Sequence, residues 1–524
     1  MSYRIVIPTA GIGSRLGNLT KYINKSLVSI AHRPVLCHLI EQFPEDCEFV
    51  IALGYKGNLV REFIELAYPS RTFIFAEVDP YIGKGSGLGY SLICCEQYLQ
   101  QPFIFISCDT LVKEQIPSPS FDWIGYSQVD DIKSYRTVSV KDGNVEAILE
   151  KGECNSQNLY PYIGMAGIRH YIEFWSAMHQ GNNIAIEQGE AYGLRCLLDK
   201  HNLKARLFTW YDTGSQVGLE RTRLVYSQPD APNILEKENE AIWFIDNNVI
   251  KYSDDRKFIA NRVIRSSTLS RFVPEITKHS EHMYSYKKVQ GEVLSKVITL
   301  PLFKQFLEHC KEFWEIAPTS QSKISIFENN CQKFYESKTI NRVETFYQNF
   351  SKSDGCENIN GEPMPPLSSL FKRIDWKNIS KGLPGRYHGD FHFENIIWNP
   401  KSSSFTFLDW RQDFAGDLEI GDIYYDLAKL LHGLIVSHDL IAANAFTIKW
   451  TSEEIKFNLH RHYIHVECEK YLSIWCHKNN FDFSKVRLLT ALIYLNIAAL
   501  HHYPYSLLLY ALGKQMLHQE VEKL

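Results

Sequence analysis

The stretch from Tyr387 to Asp409 carries a carboxylate, an amide and a second carboxylate at spacings that suit phosphoryl chemistry. Asp390 is placed where a base could face an incoming hydroxyl, Asn395 follows five residues later, and Asp409 ends an apolar run. Transfer of a phosphoryl group from ATP needs a carboxylate that orients the attacking hydroxyl and two oxygen ligands for Mg²⁺. We therefore predict that Asp390 is the base and that Asn395 and Asp409 are metal ligands.

These residues also fit a motif. The kinase pattern H-R-D-x-x-x-x-N is filled by His388, Asp390 and Asn395, with Gly389 in place of the arginine. The pattern H-G-D-x-H-x-x-N, followed by a hydrophobic strand and D-W, resembles the aminoglycoside phosphotransferase and choline kinase superfamily. The resemblance implies a two-lobed, protein-kinase-like α+β domain that uses ATP. The alternative interpretation is a tight turn with a capping aspartate and a buried asparagine.

Two further features accompany this resemblance. Residues Ala241 to Tyr252 read as a β-hairpin, and Lys251 takes the place of the V-A-I-K lysine that contacts ATP phosphates. An exposed lysine at a strand end is the alternative for Lys251, and no helix glutamate is a convincing partner for it. The motif G-D-x-x-x-D-L-A supplies Asp426, which the resemblance implies to be structural and to brace the catalytic loop.

The first two hundred residues alternate apolar strands with helical patterns, which predicts an α/β fold with a doubly wound, mostly parallel, Rossmann-like sheet. In such sheets ligands bind beyond the carboxyl ends of the strands. The loop after the first strand contains Gly11, Gly13 and Arg15, whose backbone and guanidinium can approach phosphates. The alternative is a plain strand-to-helix turn, because a lone G-x-G motif is weak evidence for phosphate binding.

Four more features strengthen the phosphate interpretation. Lys25 could supply a second cation, and the loop with Gly85 and Ser86 opens a helix that can cradle a nucleotide. Asp109 ends an apolar strand, and Asp212 ends a later one within W-Y-D-T-G. The order and spacing of these motifs resemble the sugar-phosphate nucleotidylyltransferases.

That resemblance assigns roles to the motif residues. It implies that a substrate phosphate attacks the α-phosphorus of an NTP (CTP, UTP or GTP), with Asp109 and Asp212 holding Mg²⁺ and Arg15 and Lys25 stabilising the charge. It also places Lys151 and Gly164 beside the substrate. The alternatives are a solvated lysine, a β-turn and, for Asp212, a helix N-cap. Three positions depart from the motifs of that family, so the motifs indicate the substrate less specifically than the reaction. Asn24 stands in place of proline, Cys108 in place of glycine, and Glu150-Lys151-Gly152 in place of E-K-P.

The length and composition of the chain limit its number of domains, its partners and its localisation. A chain of 524 residues is expected to form two or three domains, which we predict at residues 1–225 (nucleotidylyltransferase) and 241–524 (small-molecule kinase), with a polar linker at 226–240. A net charge of −4 gives no argument for nucleic acid or an anionic membrane, so no nucleic-acid partner is predicted. No apolar stretch is long enough for membrane insertion, no signal peptide is seen, and the scattered cysteines suggest free thiols in a cytoplasmic protein.

The two resemblances together predict a bifunctional enzyme. One half would phosphorylate a small hydroxyl compound with ATP, and the other would join that phosphate to a nucleotide, giving an NDP-activated precursor such as an NDP-sugar for a surface glycan. The alternative pair is a choline or amino-alcohol kinase with a phosphocholine-type cytidylyltransferase. A third hypothesis is that one half is a non-catalytic, nucleotide-binding regulatory module. The expected partners are small-molecule acceptors and nucleotides, and a homo-oligomer is left open.

Overall fold

The computed structural model describes residues 3–129, 132–153, 158–227, 237–317 and 320–523. The chain divides into two compact units, Met1–Ile259 with Thr277–Lys288 and Ala260–Ile276 with Val289–Leu524. Most of the predicted linker, residues 228–236, lies outside the described residues.

The first unit is built on a nine-stranded mixed sheet. In spatial order its strands are Phe73–Glu77, Glu48–Leu53, Arg4–Pro8, Phe103–Ile106, Leu159–Ile168, Trp123–Tyr126, Lys204–Leu207, Asn144–Leu149 and Thr137–Lys141. The first four run parallel, and Leu159–Ile168 is antiparallel to both of its neighbours, Phe103–Ile106 and Trp123–Tyr126. The predicted α/β, Rossmann-like fold is confirmed, with its parallel part at one side of the sheet.

Helices cover both faces of this sheet. Along Arg4–Pro8, Ile5 and Ile7 enter one hydrophobic core and Val6 enters the other, so successive side chains are buried on opposite faces. The helices of the first unit are Val35–Ile40, Gly57–Ala67, Leu88–Cys95, Tyr171–Gln188, Glu190–Leu198 and Gln216–Tyr226, with 3₁₀ turns at Ser14–Thr20, Lys25–Leu27 and Glu96–Tyr98. This unit also has two separate two-stranded sheets. One pairs Ser29–Ile30 with Arg33–Pro34, and the other pairs Thr110–Val112 with Trp210–Asp212.

A four-stranded sheet also belongs mainly to the first unit. Its strands, in spatial order, are Glu240–Ile245, Asn248–Ser253, Met283–Lys287 and Ile276–His279. Trp243 is fully buried, lies edge-on to Phe63 with ring centroids 5.1 Å apart, and donates from Nε1 to Ser29 Oγ at 2.9 Å. The compact division therefore falls later than the predicted boundary at 226–240, because this sheet buries its apolar face against the first unit.

The second unit is mostly helical. Its helices within residues 289–524 are Leu294–Val297, Leu300–Phe313, Gln321–Gln332, Lys338–Phe350, Leu367–Arg373, Trp376–Ser380, Ile423–Ile435, His438–Ala442, Tyr463–Lys478, Phe483–Ala498 and Tyr505–Val521, with a π-helical turn at Lys333–Ser337. The helix Arg256–Leu269 crosses the division between the units, and a 3₁₀ turn, Ser270–Phe272, follows it.

Short strands hold the loops of the second unit together. They form the sheets Glu292–Val293 with Ile396–Asn399 and Ser404–Phe407, Pro384–Gly385 with Gly421–Asp422, and Glu362–Met364 with Glu357–Ile359, Ile455–Leu459 and Phe446–Trp450. The strands Phe446–Trp450 and Ile455–Leu459 pair with each other as an antiparallel hairpin. Within the described ranges, no helix has the length and apolar character needed to cross a membrane.

Candidate active sites

In the first unit, a two-stranded ribbon brings together the two carboxylates predicted for the nucleotidyl-transfer site. Asp109 precedes the strand Thr110–Val112, and Asp212 ends the strand Trp210–Asp212 opposite Thr110. Thr213 donates from both its backbone N and its Oγ1 to the carbonyl of Asp109, at 3.0 and 3.1 Å. The register of the ribbon therefore fixes the two aspartates as neighbours.

Two predicted cations contact Asp109. Lys25 Nζ lies 3.2 Å from Asp109 Oδ2, and both side chains keep less than a fifth of their surface exposed. Arg15 Nη2 lies 3.9 Å from the same oxygen but is 62 % exposed. Burial would raise the pKa of Asp109, but the charge of Lys25 and a hydrogen bond from Ser107 Oγ outweigh it and lower the pKa. Lys25 is thus held beside Asp109, while most of the Arg15 side chain faces solvent.

The backbone around Lys25 explains Gly13 and one departure from the motif. A Cβ on Gly13 would lie 2.9 Å from Lys25 Cβ, and Gly13 adopts φ 74°. A Cβ on Gly11 would come within 3.9 Å of Lys25 Cε. Asn24, which stands where proline was expected, is fully buried, and its Nδ2 donates to the carbonyls of Thr9 and Tyr55 at 2.9 and 2.6 Å. The hydrogen bonds of Asn24 therefore stabilise the turn that positions Lys25.

Two further glycines allow close packing at the carboxylates. Gly164 has φ 71°, and a Cβ there would lie 2.9 Å from Ser107 Cβ, the residue whose hydroxyl binds Asp109. A Cβ on Gly214 would lie 2.7 Å from Asp109 Oδ2. The structure therefore brings the predicted Gly164 to the Asp109 end of the site.

Asp212 has partners of its own. Its Oδ1 accepts from Gly214 N at 2.8 Å, and its Oδ2 accepts from Tyr135 OH at 3.1 Å. Motif analysis did not single out Tyr135, since it comes from a distant segment with no recognisable pattern. Two carboxylates of neighbouring strands fit Mg²⁺, which takes one or two protein carboxylates together with substrate phosphates.

The other predicted residues of this unit lie in exposed turns. Gly85 has φ 86°, and Ser86 Oγ donates to the carbonyl of Gly83 at 2.7 Å in the turn before the helix Leu88–Cys95. Lys151 is exposed, although the preceding Glu150 is held by Arg136 and Arg195 at 2.9 and 2.6 Å. Among the described residues, no hydrogen bond or ion pair joins Lys151, Gly85 or Ser86 to the two aspartates.

In the second unit, the loop that carries Asp390 is braced from two sides. Asp426 is fully buried and accepts from His388 N and Gly389 N, both at 2.7 Å, and from Trp314 Nε1 at 3.0 Å. Burial raises the pKa of Asp426 to about 6, despite these hydrogen bonds. The structural role expected for Asp426 is confirmed.

Arg265 braces the loop from the other side, although it belongs to no recognisable motif. Its guanidinium is fully buried and donates to the carbonyls of Tyr387 at 2.6 Å, Leu418 at 3.1 Å, and Arg411. It also lies 4.0 Å from the centroid of the Tyr387 ring. One buried cation therefore fixes the backbone on both sides of the predicted base.

Asp390 is surrounded by cations that were not predicted. Lys429 Nζ lies 2.9 Å from Oδ1, and His392 Nε2 lies 3.5 Å from Oδ2. Burial would raise the pKa of Asp390, but the charges of Lys429 and His392 hold it well below the ordinary value. The Asp390 side chain still keeps 42 % of its surface exposed. It is therefore an ionised carboxylate that remains accessible to an acceptor.

The two predicted metal ligands of this unit lie on joined segments. Asn395 Nδ2 donates to the Asp390 carbonyl at 2.9 Å, and the backbone N of Leu408 donates to the Asn395 carbonyl at 2.7 Å. Asp409 adopts φ 59°, and its Oδ1 accepts from Arg262 Nη1 at 3.3 Å. An amide oxygen and a carboxylate are suitable ligands for Mg²⁺. Arg262 lies on the helix Arg256–Leu269, which has no acidic residue.

Lys251, the predicted ATP contact, belongs to the first unit. It is buried in the strand Asn248–Ser253, opposite Ile242 and Tyr284 in the two neighbouring strands. The suggestion that it is an exposed strand-end lysine does not hold, because only 6 % of its surface is accessible. Its assignment to ATP stays a prediction.

Comparisons with known proteins agree with the two family resemblances. Residues 371–453, which include Asp390, Asn395, Asp409 and Asp426, match the phosphotransferase enzyme family, APH. The chain is 29 % identical over 174 residues to the low-salt glycan biosynthesis nucleotidyltransferase Agl11 of Haloferax volcanii, covering 30 % of this chain and 47 % of that protein. It is 22 % identical over 281 residues to a UTP–glucose-1-phosphate uridylyltransferase of Salmonella typhimurium, covering 43 % of this chain and 93 % of the relative.

A solved structure of UDP-glucose pyrophosphorylase from Acinetobacter baumanii is 19 % identical, with a TM-score of 0.37, and covers 44 % of this chain and 96 % of that one. The chain spans about half the length of Agl11. Both resemblances predicted from the motifs are confirmed: the N-terminal part is similar to sugar-phosphate nucleotidylyltransferases, and the C-terminal part carries a phosphotransferase match.

Proposed function

We propose that this chain is a bifunctional enzyme that first phosphorylates a small hydroxyl compound with ATP and then transfers a nucleotidyl group from an NTP onto the new phosphate. The product would be an NDP-activated precursor, an NDP-sugar, for glycan synthesis. The observation that carries the proposal is that each compact unit holds an ionised, cation-paired carboxylate at its motif, Asp109 with Lys25 and Asp390 with Lys429. The name of the Haloferax relative, a glycan biosynthesis nucleotidyltransferase, supports the type of pathway.

In the first unit, the protein's task is to neutralise charge as the nucleotide reacts. An oxygen of the acceptor phosphate forms a bond to the α-phosphorus, the bond from that phosphorus to the α–β bridging oxygen breaks, and pyrophosphate leaves. Lys25 and Arg15 stabilise the negative charge that builds up on the α-phosphate. Asp109 and Asp212 would hold Mg²⁺, which supplies further charge neutralisation when it is bound.

In the second unit, Asp390 prepares the acceptor. It accepts a hydrogen bond from the acceptor hydroxyl, orients it towards the γ-phosphorus and takes its proton as the new O–P bond forms. The bond from the γ-phosphorus to the β–γ bridging oxygen breaks, and ADP leaves. Lys429 and His392 keep Asp390 ionised before the reaction. Asn395 and Asp409 would hold the Mg²⁺ that accompanies ATP.

A substrate screen tests this proposal. CTP, UTP and GTP are each combined with a set of sugar 1-phosphates and with phosphocholine, and pyrophosphate release is measured with Mg²⁺ and with excess EDTA. ATP and the unphosphorylated compounds are screened in parallel for ADP release. We expect both pyrophosphate release and ADP release, and excess EDTA should abolish each of them. Phosphocholine as the best acceptor would favour the amino-alcohol pathway, and a half without Mg²⁺-dependent turnover on any combination would be a binding module.

A further inference from the structure

A group of cations without carboxylate partners lies next to the catalytic loop of the second unit. Lys338 and Arg342 are one turn apart on the helix Lys338–Phe350, and Arg411 follows the Asp409-Trp410 pair. Among the described residues, none of these three forms an ion pair with an aspartate or glutamate. Like charges four residues apart on a helix repel each other, so this arrangement is unfavourable until an anion binds.

Arg411 connects this cation group to the predicted base. Its backbone N donates to the His388 carbonyl at 2.8 Å, and a Cβ on Gly389 would lie only 2.6 Å from Arg411 Cβ. Gly389 immediately precedes Asp390. Arg411 therefore packs directly on the catalytic loop.

Lys338 and Arg411 share one aromatic ring. Lys338 Nζ lies 4.2 Å and the Arg411 guanidinium carbon 4.9 Å from the centroid of Phe334. Phe334 belongs to the π-helical turn Lys333–Ser337, and such turns occur frequently at functional sites. The turn and the shared ring hold two cations close together.

An open surface depression of about 420 Å³ lies beside Lys338 and Arg342. It is lined by Lys333, Ser337, Lys338, Asn341, Arg342 and Thr345. This lining is rich in donors and has no acidic side chain.

The pKa of Lys338 is lowered, as expected for a lysine close to other cations. Burial, and then the charges of Arg411, Lys429 and Arg342, lower the pKa of Lys338 to about 7, and Asp413 offsets this only in part. Lys429 is the same lysine that pairs with Asp390. The cation group and the predicted base are therefore electrostatic neighbours.

We propose that the acceptor of the kinase reaction already carries an anionic group, a phosphate or a carboxylate, which Lys338, Arg342 and Arg411 bind while Asp390 receives the hydroxyl. This inference rests on the proposed kinase function of the same unit. It assigns the acceptor to the phosphorylated or acidic sugars and polyols. A quaternary amine such as choline would be repelled by these cations.

A labelling experiment tests the anion site without requiring turnover. Pyridoxal 5′-phosphate is added at pH 7.5; the neutral lysine amine attacks its aldehyde, water leaves, and borohydride reduces the imine so that peptide mapping can locate it. We expect Lys338 to be labelled at least about tenfold faster than the exposed Lys372, since a lysine with a low pKa is largely unprotonated. Pyridoxal, which lacks the phosphate, should label Lys338 several-fold more slowly.

Arg342→Gln should remove most of the preference for the phosphorylated reagent, while Lys372→Gln should leave it unchanged. Glycerol 3-phosphate and glucuronate, added as competitors, distinguish a phosphate from a carboxylate ligand. Equal labelling by the two aldehydes, or a preference that survives Arg342→Gln, would overturn the anion site. If a non-hydrolysable ATP analogue slowed the labelling of Lys338 and neither competitor did, the acceptor assignment would be overturned, because the cations would then bind nucleotide.

Turnover provides the second test. ADP release is compared for matched pairs, glycerol with glycerol 3-phosphate and glucose with glucose 6-phosphate, and for glucuronate and choline. We expect a charged acceptor to be used, with Arg342→Gln raising its KM at least about tenfold, as the loss of a charge-assisted hydrogen bond does. Preferred use of uncharged compounds or choline would contradict this inference and leave the kinase function standing. The absence of ADP release with every compound would count against the kinase function, and the labelling would still decide the anion site.

Discussion

At the scale of single residues, both sites use the same device: a carboxylate is kept ionised by a nearby cation. Asp109 depends on Lys25 at 3.2 Å, and Asp390 depends on Lys429 at 2.9 Å. The carboxylates and Lys25 were predictable because they stand in compact motifs. Lys429 was not, because it reaches Asp390 from a helix that starts more than thirty residues later, and it follows the G-D-x-x-x-D-L-A motif without being part of it.

The first prediction concerns Asp109. Asp109→Asn removes the charge that pairs with Lys25 and one of the two carboxylates, so nucleotidyl transfer should fall by at least about a hundredfold. It should also lower the melting temperature, since Lys25 keeps only 18 % of its side chain exposed and loses its partner. Asp142→Asn, in an exposed turn, is the matched control and should change neither quantity. Pyrophosphate release at the wild-type rate in Asp109→Asn would remove this residue from the site.

The second prediction concerns His392. Burial would lower its pKa, but the charges of Asp390 and Glu394 outweigh burial and raise the pKa to about 9. The folded state thus holds the proton more tightly than the unfolded chain, in which the pKa is near 6.5. The stabilisation by His392 is therefore complete below pH 6.5 and is lost as the pH rises through 9.

Thermal unfolding of wild type and His392→Gln across this pH range measures the effect. The difference in melting temperature should be largest at about pH 6 and should shrink towards pH 10. His460→Gln, which changes an exposed histidine of the same unit, is the matched control. A large difference for His392→Gln that does not depend on pH would mean that its packing matters and its charge does not.

At the scale of elements, glycines at positive φ allow strands and loops to approach the catalytic groups. Gly164 lies against Ser107, and Ser107 Oγ donates to Asp109 Oδ1 at 2.6 Å. Gly389 similarly lies against Arg411. The sequence identified Gly164 by its motif, but the contact that requires a glycine there appears only when the strands are paired.

Gly164→Ala should therefore combine backbone strain with a clash. We expect a loss of about 2–4 kcal/mol in the free energy of unfolding and at least about a tenfold loss of nucleotidyl transfer, because Ser107 must move away from Asp109. Gly143→Ala is a matched control, since Gly143 has nearly the same φ, 74°, but nothing within 4 Å of an added Cβ. It should cost about 1 kcal/mol, from strain alone, and leave activity unchanged. Equal effects of the two substitutions would show that the clash is unimportant.

The bracing of the kinase loop was only partly predictable at this scale. Asp426 was expected from its motif, whereas Arg265 stands in a helix whose sequence gives no sign that it binds three carbonyls. Long-range contacts of this kind depend on how distant segments pack, which local patterns do not encode.

At the scale of the whole molecule, the motifs were enough to predict two fold classes and their order along the chain. The position of the division was harder to predict. The linker composition suggested residues 226–240, but the sheet of residues 240–287 buries Trp243 and Tyr252 against the first unit. Burial of an apolar face, which composition does not reveal, decides which unit a sheet joins.

The central claim is that two separate sites act in sequence, and paired substitutions test it most directly. Asp390→Asn and Asp212→Asn each remove one charge without changing the shape of the side chain. Each purified, folded variant is given either the free acceptor with ATP and NTP or the phosphorylated acceptor with NTP, and all products are identified by mass spectrometry.

We predict that Asp390→Asn fails on the free acceptor but converts the phosphorylated acceptor into the activated product at nearly the wild-type rate. Asp212→Asn should accumulate the phosphorylated intermediate from the free acceptor and should release no pyrophosphate from either starting material. If either substitution abolished both reactions in a folded protein, the account of two separate sites would be contradicted.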